Sequence, residues 1–177
     1  MAMTLLLGGA ASGKSRSAAA LAASTGLPVT VIATAEALDD EMTSRIARHR
    51  RERPGGWSVI EEPRDLIGAV ERAHGAAIVD CLTLWVSNLL GYDLDEEEIF
   101  VRAAAAAKSF AARPEPTIVV SNEVGSGIVP MNPLARQYRD VLGRVNATFA
   151  DEADVVALMV AGRAVRLSTI STDLEGS

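Results

Sequence analysis

Near the start of the chain, Gly8-Gly9-Ala10-Ala11-Ser12-Gly13-Lys14-Ser15 has the spacing G-x-x-x-x-G-K-[ST]. The apolar run Met3-Thr4-Leu5-Leu6-Leu7 precedes it and an alanine- and leucine-rich segment follows, so the motif joins a predicted strand to a predicted helix. Glycines at this spacing let successive backbone N–H groups turn toward one polyphosphate, with the positive end of the helix behind them. Lys14 would reach the β- and γ-phosphates as a point charge, and the Ser15 hydroxyl would ligate Mg²⁺. Binding of a nucleoside triphosphate is the expected consequence.

Other residues could add chemistry to that cradle. Asp80 ends the run Ala76-Ala77-Ile78-Val79-Asp80, small or apolar residues followed by an acid. Such a carboxylate can hold Mg²⁺, directly or through water, opposite Ser15. The lesser reading is a capping aspartate before a following helix. Ala33-Thr34-Ala35 closes another apolar run and could line the nucleotide site. Asn122 to Pro130 places two glycines near an amide and a carboxylate. That composition suits a loop folding over a ligand, and suits a plain strand-to-helix connection as well.

A predicted helix from Asp39 or Asp40 to Arg53 carries Met42, Ile46, His49 and Arg53 on one face, with Arg45, Arg48, Arg50 and Arg51 around them. The spacing admits two readings. It favours a solvated basic helix with an incidental histidine. The sharper reading makes His49 a nucleophile among phosphate-binding cations, which would keep its imidazole neutral. His74 sits where a histidine complements a helix end, and Cys81 follows a buried run as a small core residue.

Elements must position these groups. Predicted strands are Thr4–Leu7, Val29–Ala33, Ser58–Ile60, Ala77–Asp80, Thr117–Ser121 and Val155–Val160, and helical patterns alternate with them. Helices are expected from Lys14 to Ser24, over the histidine segment, between Pro63 and Gly75, over Asp95–Ala112 and over Leu134–Phe149. The expected fold is α/β, a three-layer P-loop NTPase arrangement with a mostly parallel central sheet flanked by helices. One catalytic domain is expected over residues 1–167, with a disordered tail over 168–177.

A net charge of −6 opposes generic binding to nucleic acid or to an acidic membrane. The single cysteine excludes an intramolecular disulfide and suits a reducing compartment. No apolar run is long enough to span a bilayer, and the opening residues lack the pattern of a signal peptide. A cytoplasmic protein is expected.

The chain resembles the bifunctional adenosylcobinamide kinase / adenosylcobinamide-phosphate guanylyltransferase family of cobalamin biosynthesis. The matching pieces are GGAASGKSR at Gly8–Arg16, IATAEALDDEMTSRIARHRRERPGGW at Ile32–Trp57 and SNEVGSGIVPMNPLARQYRDVLGRVN at Ser121–Asn146. The histidine helix ending in R-P-x-x-W, together with N-E-V-G-x-G-I-V-P, is far more specific than the phosphate loop alone. Relatives often carry Arg where this chain has Ala11, Lys where it has Arg50 and Thr where it has Ser121. The resemblance implies that Gly8–Ser15, Ala33–Ala35, Arg50, Arg51, Glu52, Arg53, Glu61 and Asp80 contact GTP. It makes His49 the guanylylated residue, acting with Lys14.

It further implies GTP, ATP and Mg²⁺ as nucleotides and metal, adenosylcobinamide and its phosphate as corrinoid substrates, and a homotrimeric assembly. Two alternatives stay open. One is a small-metabolite P-loop kinase without a covalent intermediate. The other is a non-catalytic nucleotide switch that engages a partner through Asn122–Pro130.

Overall fold

The structure, a computed structural model, describes residues 3–37, 39–52 and 54–169. Among them, seven strands and six helices follow one another in chain order. They are β1 (Met3–Gly8), α1 (Lys14–Ser24), β2 (Val29–Ala33), α2 (Asp40–Glu52), β3 (Ser58–Glu61), α3 (Leu66–Glu71) and β4 (Ala76–Asp80). Then come α4 (Leu82–Gly91), α5 (Glu96–Ala111), β5 (Thr117–Val120), α6 (Pro133–Glu152), β6 (Val155–Val160) and β7 (Arg163–Leu167).

The strands form one sheet in the order β3-β2-β4-β5-β1-β6-β7. All neighbours are parallel except β6 and β7. The expected α/β architecture is thus present. Side chains alternate between two apolar layers, as the period of a strand requires. Leu5, Val79 and Val119 pack with Trp85, Phe110, Leu142 and Phe149 from the helices on one face. Leu6, Ile78 and Ile118 pack with Ala18 and Ala22 of α1 on the other. The small residues of α1 bring its axis close to the sheet and bring its N-terminus over the strand ends.

Two elements were not anticipated. Helix α4 starts at Leu82 behind Cys81, which holds the capping position in extended conformation with no side-chain hydrogen bond, so its exact beginning carries no capping signal. Strand β7 is exposed along its length and pairs antiparallel to β6 through the turn Ala161-Gly162, where both residues have positive φ (50° and 75°). Alanine is an unusual turn residue at that conformation, which hides the hairpin.

One helix is shorter than expected. Asp65, whose carboxylate accepts from Gly68 N at 2.9 Å, starts α3 later than Pro63 suggests, and α3 ends at Glu71. The expected tail lies outside the described residues from position 170 onward.

Candidate active site

The carboxyl ends of β1, β2, β4 and β5 open into a cavity of about 630 Å³. This is the size of a pocket for one small organic ligand. The loop Ala10–Arg16 forms one wall, and Met42, Thr43, Ile46, Ala47 and Arg50 of α2 form another. Ala33, Ala35, Asp80, Cys81 and Asn122 supply the floor from the strand ends.

The phosphate loop is shaped by backbone conformation. Gly8 (φ 148°), Ala11 (φ 56°) and Gly13 (φ 99°) occupy positive φ. A Cβ on Gly8 would lie 2.4 Å from the Met159 carbonyl oxygen, so only glycine fits there. Gly13 caps α1 and provides no side-chain acceptor. The first N–H groups of α1 therefore stay available to an anion.

Gly162 of the β6–β7 turn donates its N–H to Ser12 O at 2.9 Å and buttresses the loop from outside. The support that β6 and β7 give the loop was not anticipated. The Ala161-Gly162 dipeptide is its only trace in the sequence.

Lys14 is buried, and its ammonium donates to Gly8 O at 2.8 Å and Gly9 O at 2.7 Å. Burial pushes its pKa below the ordinary lysine value, and the nearby Asp80 carboxylate opposes that shift. Ser15 is exposed in the first turn of α1 and lines the cavity with the half-buried Asp80.

These two residues fit a magnesium ion, whose preferred site is one or two protein oxygens completed by phosphates and water. No cluster of three or more acidic, histidine or cysteine side chains among the described residues could hold a metal without such help. Asp80 does not cap α4, because Cys81 occupies the capping position. The Cys81 thiol is pushed up to about 11 by burial first and by Asp80 second, so it stays protonated and unreactive near neutral pH.

The three residues closing β2 divide. Ala33 and Ala35 line the cavity, whereas Thr34 is fully buried behind it. Thr34 Oγ1 donates to Cys81 O and accepts from Cys81 N, both at 2.8 Å, and Asp80 O accepts from Thr34 N at 3.1 Å. Thr34 therefore ties the end of β2 to the end of β4, where Asp80 sits. Gly8 and Gly9 shape the loop without lining the cavity, and Arg51 is exposed on α2.

Helix α2 stands apart from the core, since neither apolar layer includes any of its described residues. Of its expected inward face, Met42 and Ile46 line the cavity. Arg50 also lines it and forms an ion pair with Glu61 at the end of β3. His49 belongs to α2; its side chain and that of Glu52, with all of Arg53, lie outside the described residues.

Thr83, which no motif in the sequence singles out, lines the cavity from the first turn of α4. Its hydroxyl accepts from Asn122 N at 2.8 Å and its carbonyl from the Tyr138 hydroxyl at 3.1 Å. Asn122 is held from behind as well, where Asn146 Nδ2 donates to its carbonyl at 3.0 Å.

A sequence profile for cobinamide kinase / cobinamide phosphate guanyltransferase matches residues 4–167. The chain belongs to this family. It is similar to the bifunctional adenosylcobalamin biosynthesis protein CobP of Pseudomonas aeruginosa, with 44% identity over 89% of this chain and 92% of that protein. It is similar to the protein CobU of Escherichia coli, which carries the same descriptive name, with 41% identity over 93% of this chain and 99% of that one.

Solved structures share the fold at low identity. The flagellar accessory protein FlaH from Methanocaldococcus jannaschii has a TM-score of 0.50 and 14% identity, covering 94% of this chain and 77% of its own. The RadB recombinase also has a TM-score of 0.50, with 16% identity over 89% of this chain and 73% of its own. These support the P-loop NTPase architecture of this cobinamide kinase / guanyltransferase family member and nothing narrower. No helix among the described residues is long and apolar enough to cross a membrane.

Proposed function

We propose that this chain phosphorylates adenosylcobinamide with ATP or GTP and then transfers GMP from GTP to adenosylcobinamide phosphate through a guanylylated His49. The catalytic unit is residues 1–167, acting in the cytoplasm as a homo-oligomer, a trimer by family resemblance. The single observation that carries this reading is the convergence of the phosphate loop, Asp80 and one face of α2 on the same cavity, in a member of this family.

In the kinase step the acceptor hydroxyl of the corrinoid's aminopropanol arm attacks the γ-phosphorus. The bond to the β-phosphate oxygen breaks, a nucleoside diphosphate leaves, and the hydroxyl proton passes to solvent. Little covalent chemistry is asked of the protein, so alignment and charge neutralisation carry the rate. Lys14 and the loop N–H groups do this at the phosphates. Ser15 and Asp80 would hold Mg²⁺, which supplies further neutralisation when bound.

In the second step an imidazole nitrogen of His49 attacks the α-phosphorus of GTP and pyrophosphate leaves. A phosphate oxygen of the phosphorylated corrinoid then attacks the same phosphorus, the P–N bond breaks and His49 is regenerated. Neutral imidazole is nucleophilic near neutral pH, and a phosphoramidate is readily displaced. Arg50, Arg51 and Arg53 neutralise charge on the phosphates, with Glu61, Ala33 and Ala35 completing the nucleotide site.

Incubation with cobinamide and GTP, followed by mass spectrometry of the corrinoid, tests the order of events. The expected products are first the monophosphate and then the GDP derivative, with pyrophosphate released in the second step. Nucleotide turnover with no change in the corrinoid would contradict this reading.

A further inference from the structure

The main cavity is lined by the phosphate loop, the strand ends and α2, a lining that suits a nucleotide. With a triphosphate on the phosphate loop, the part of the corrinoid that has to reach it is the hydroxyl-bearing arm. A surface adjoining the cavity can then carry the bulkier macrocycle. The need for such a seat rests on the proposed action on a corrinoid.

A second concavity, of about 460 Å³, lies between α4 and the start of α6. Ser87, Leu90 and Gly91 form one side, and Leu134, Ala135 and Tyr138 the other. It adjoins the main cavity along a single helix. Thr83 and Leu84 line the first and Ser87 the second, one turn further on, where side chains are about 5–6 Å apart. Tyr138 joins the two, because it lines the second concavity while its hydroxyl donates to the Thr83 carbonyl at 3.1 Å.

The border of this groove is apolar and open to solvent. Leu134, which lines it, is 63% exposed, and Met131, the chain neighbour of the lining residue Asn132, is 96% exposed. Single exposed apolar residues need no explanation, but a group of them beside a groove marks a binding surface. The surrounding backbone is anchored. Arg136 donates from Nη1 to Pro130 O at 3.0 Å and Met131 O at 2.7 Å, and the Asn132 side chain accepts from Leu134 N at 2.8 Å. The apolar side chains are thus presented on a fixed edge.

We infer that the corrin macrocycle seats in the α4–α6 groove against Met131 and Leu134, with its aminopropanol arm running past Thr83 and Asn122 to the phosphate loop. The macrocycle offers apolar ring carbons and methyl groups, which match Leu90, Met131 and Leu134. Its rim carries amides, for which Ser87, Asn132 and Tyr138 offer hydrogen-bonding partners. Continuity with the nucleotide cavity lets one seated macrocycle serve both steps, since the arm need not leave between them.

The test uses Leu134→Asp and Ser87→Trp, both at exposed positions. Steady-state assays with cobinamide and GTP should show KM for cobinamide raised at least about tenfold, and KM for GTP within about twofold of wild type. Labelling of the protein from GTP should persist in both variants. Unaltered cobinamide KM in both variants, with wild-type activity present, overturns the groove alone.

If Leu134→Asp changes the sedimentation mass and leaves that KM alone, the surface joins copies of this chain and the assignment fails. A wild-type protein that neither binds cobinamide in equilibrium dialysis nor phosphorylates it overturns the functional reading, and the groove with it.

Discussion

Lys14 shows how a single side chain can link proton and nucleotide. Its ammonium rests on the carbonyls of Gly8 and Gly9, and burial holds its pKa below the ordinary value. A polyphosphate placed beside it favours the charged form and raises that pKa again. Binding is therefore tightest below the lowered pKa of the free protein and weakens as pH rises through it. In that window each nucleotide bound takes up a proton. Isothermal titration in buffers of different ionisation heat should find proton uptake on the alkaline side, and Lys14→Met should remove it. Affinity that stays flat up to about pH 10, near the ordinary lysine pKa, would show that burial does not lower the Lys14 pKa in this way.

At the scale of elements, much of the architecture was legible from the chain because strands covered on both faces read as apolar runs. The β4 segment Ala76–Asp80 and the first helix Lys14–Ser24 are examples. What escaped lacked local signals. Helix α4 has no capping side chain, and β7 is exposed and reached through a turn that opens with alanine. The site divides in the same way. The phosphate loop is a local pattern and stood out, whereas Thr83 and the Gly162 buttress act through long-range contacts that no spacing reveals.

Thr34 differs from both. Its segment was expected to line the nucleotide site, yet the hydroxyl is spent joining β2 to β4. Thr34→Val keeps the shape but leaves the buried Cys81 N–H without this acceptor, which should cost about 1–3 kcal/mol of stability. With the hydroxyl part of the tie to β4 lost, Asp80 is held less firmly. The Mg²⁺ concentration for half-maximal activity should rise, while nucleotide binding without metal changes little. Denaturant unfolding and magnesium titration measure the two effects, and an unaltered variant would deny the tie any role.

For the whole molecule, an acidic chain with net charge −6 gathers arginines on α2, the one long helix that contributes no described residue to either core layer. A helix free of the core can face a ligand without disturbing the sheet. Its described contact with the body includes the Arg50–Glu61 pair at the edge strand, where both side chains are half-exposed. Such a pair contributes little stability, about 0–1 kcal/mol, so its value lies in orientation.

Whether this helix carries a nucleophile decides the mechanism. Incubation with GTP labelled at the α-phosphate, followed by denaturation, measures that most directly. The predicted result is protein-bound label that survives alkali, is released by acid and is absent in His49→Ala, while that variant keeps much of its cobinamide phosphorylation. Label that never forms, or that persists without the imidazole, would contradict it.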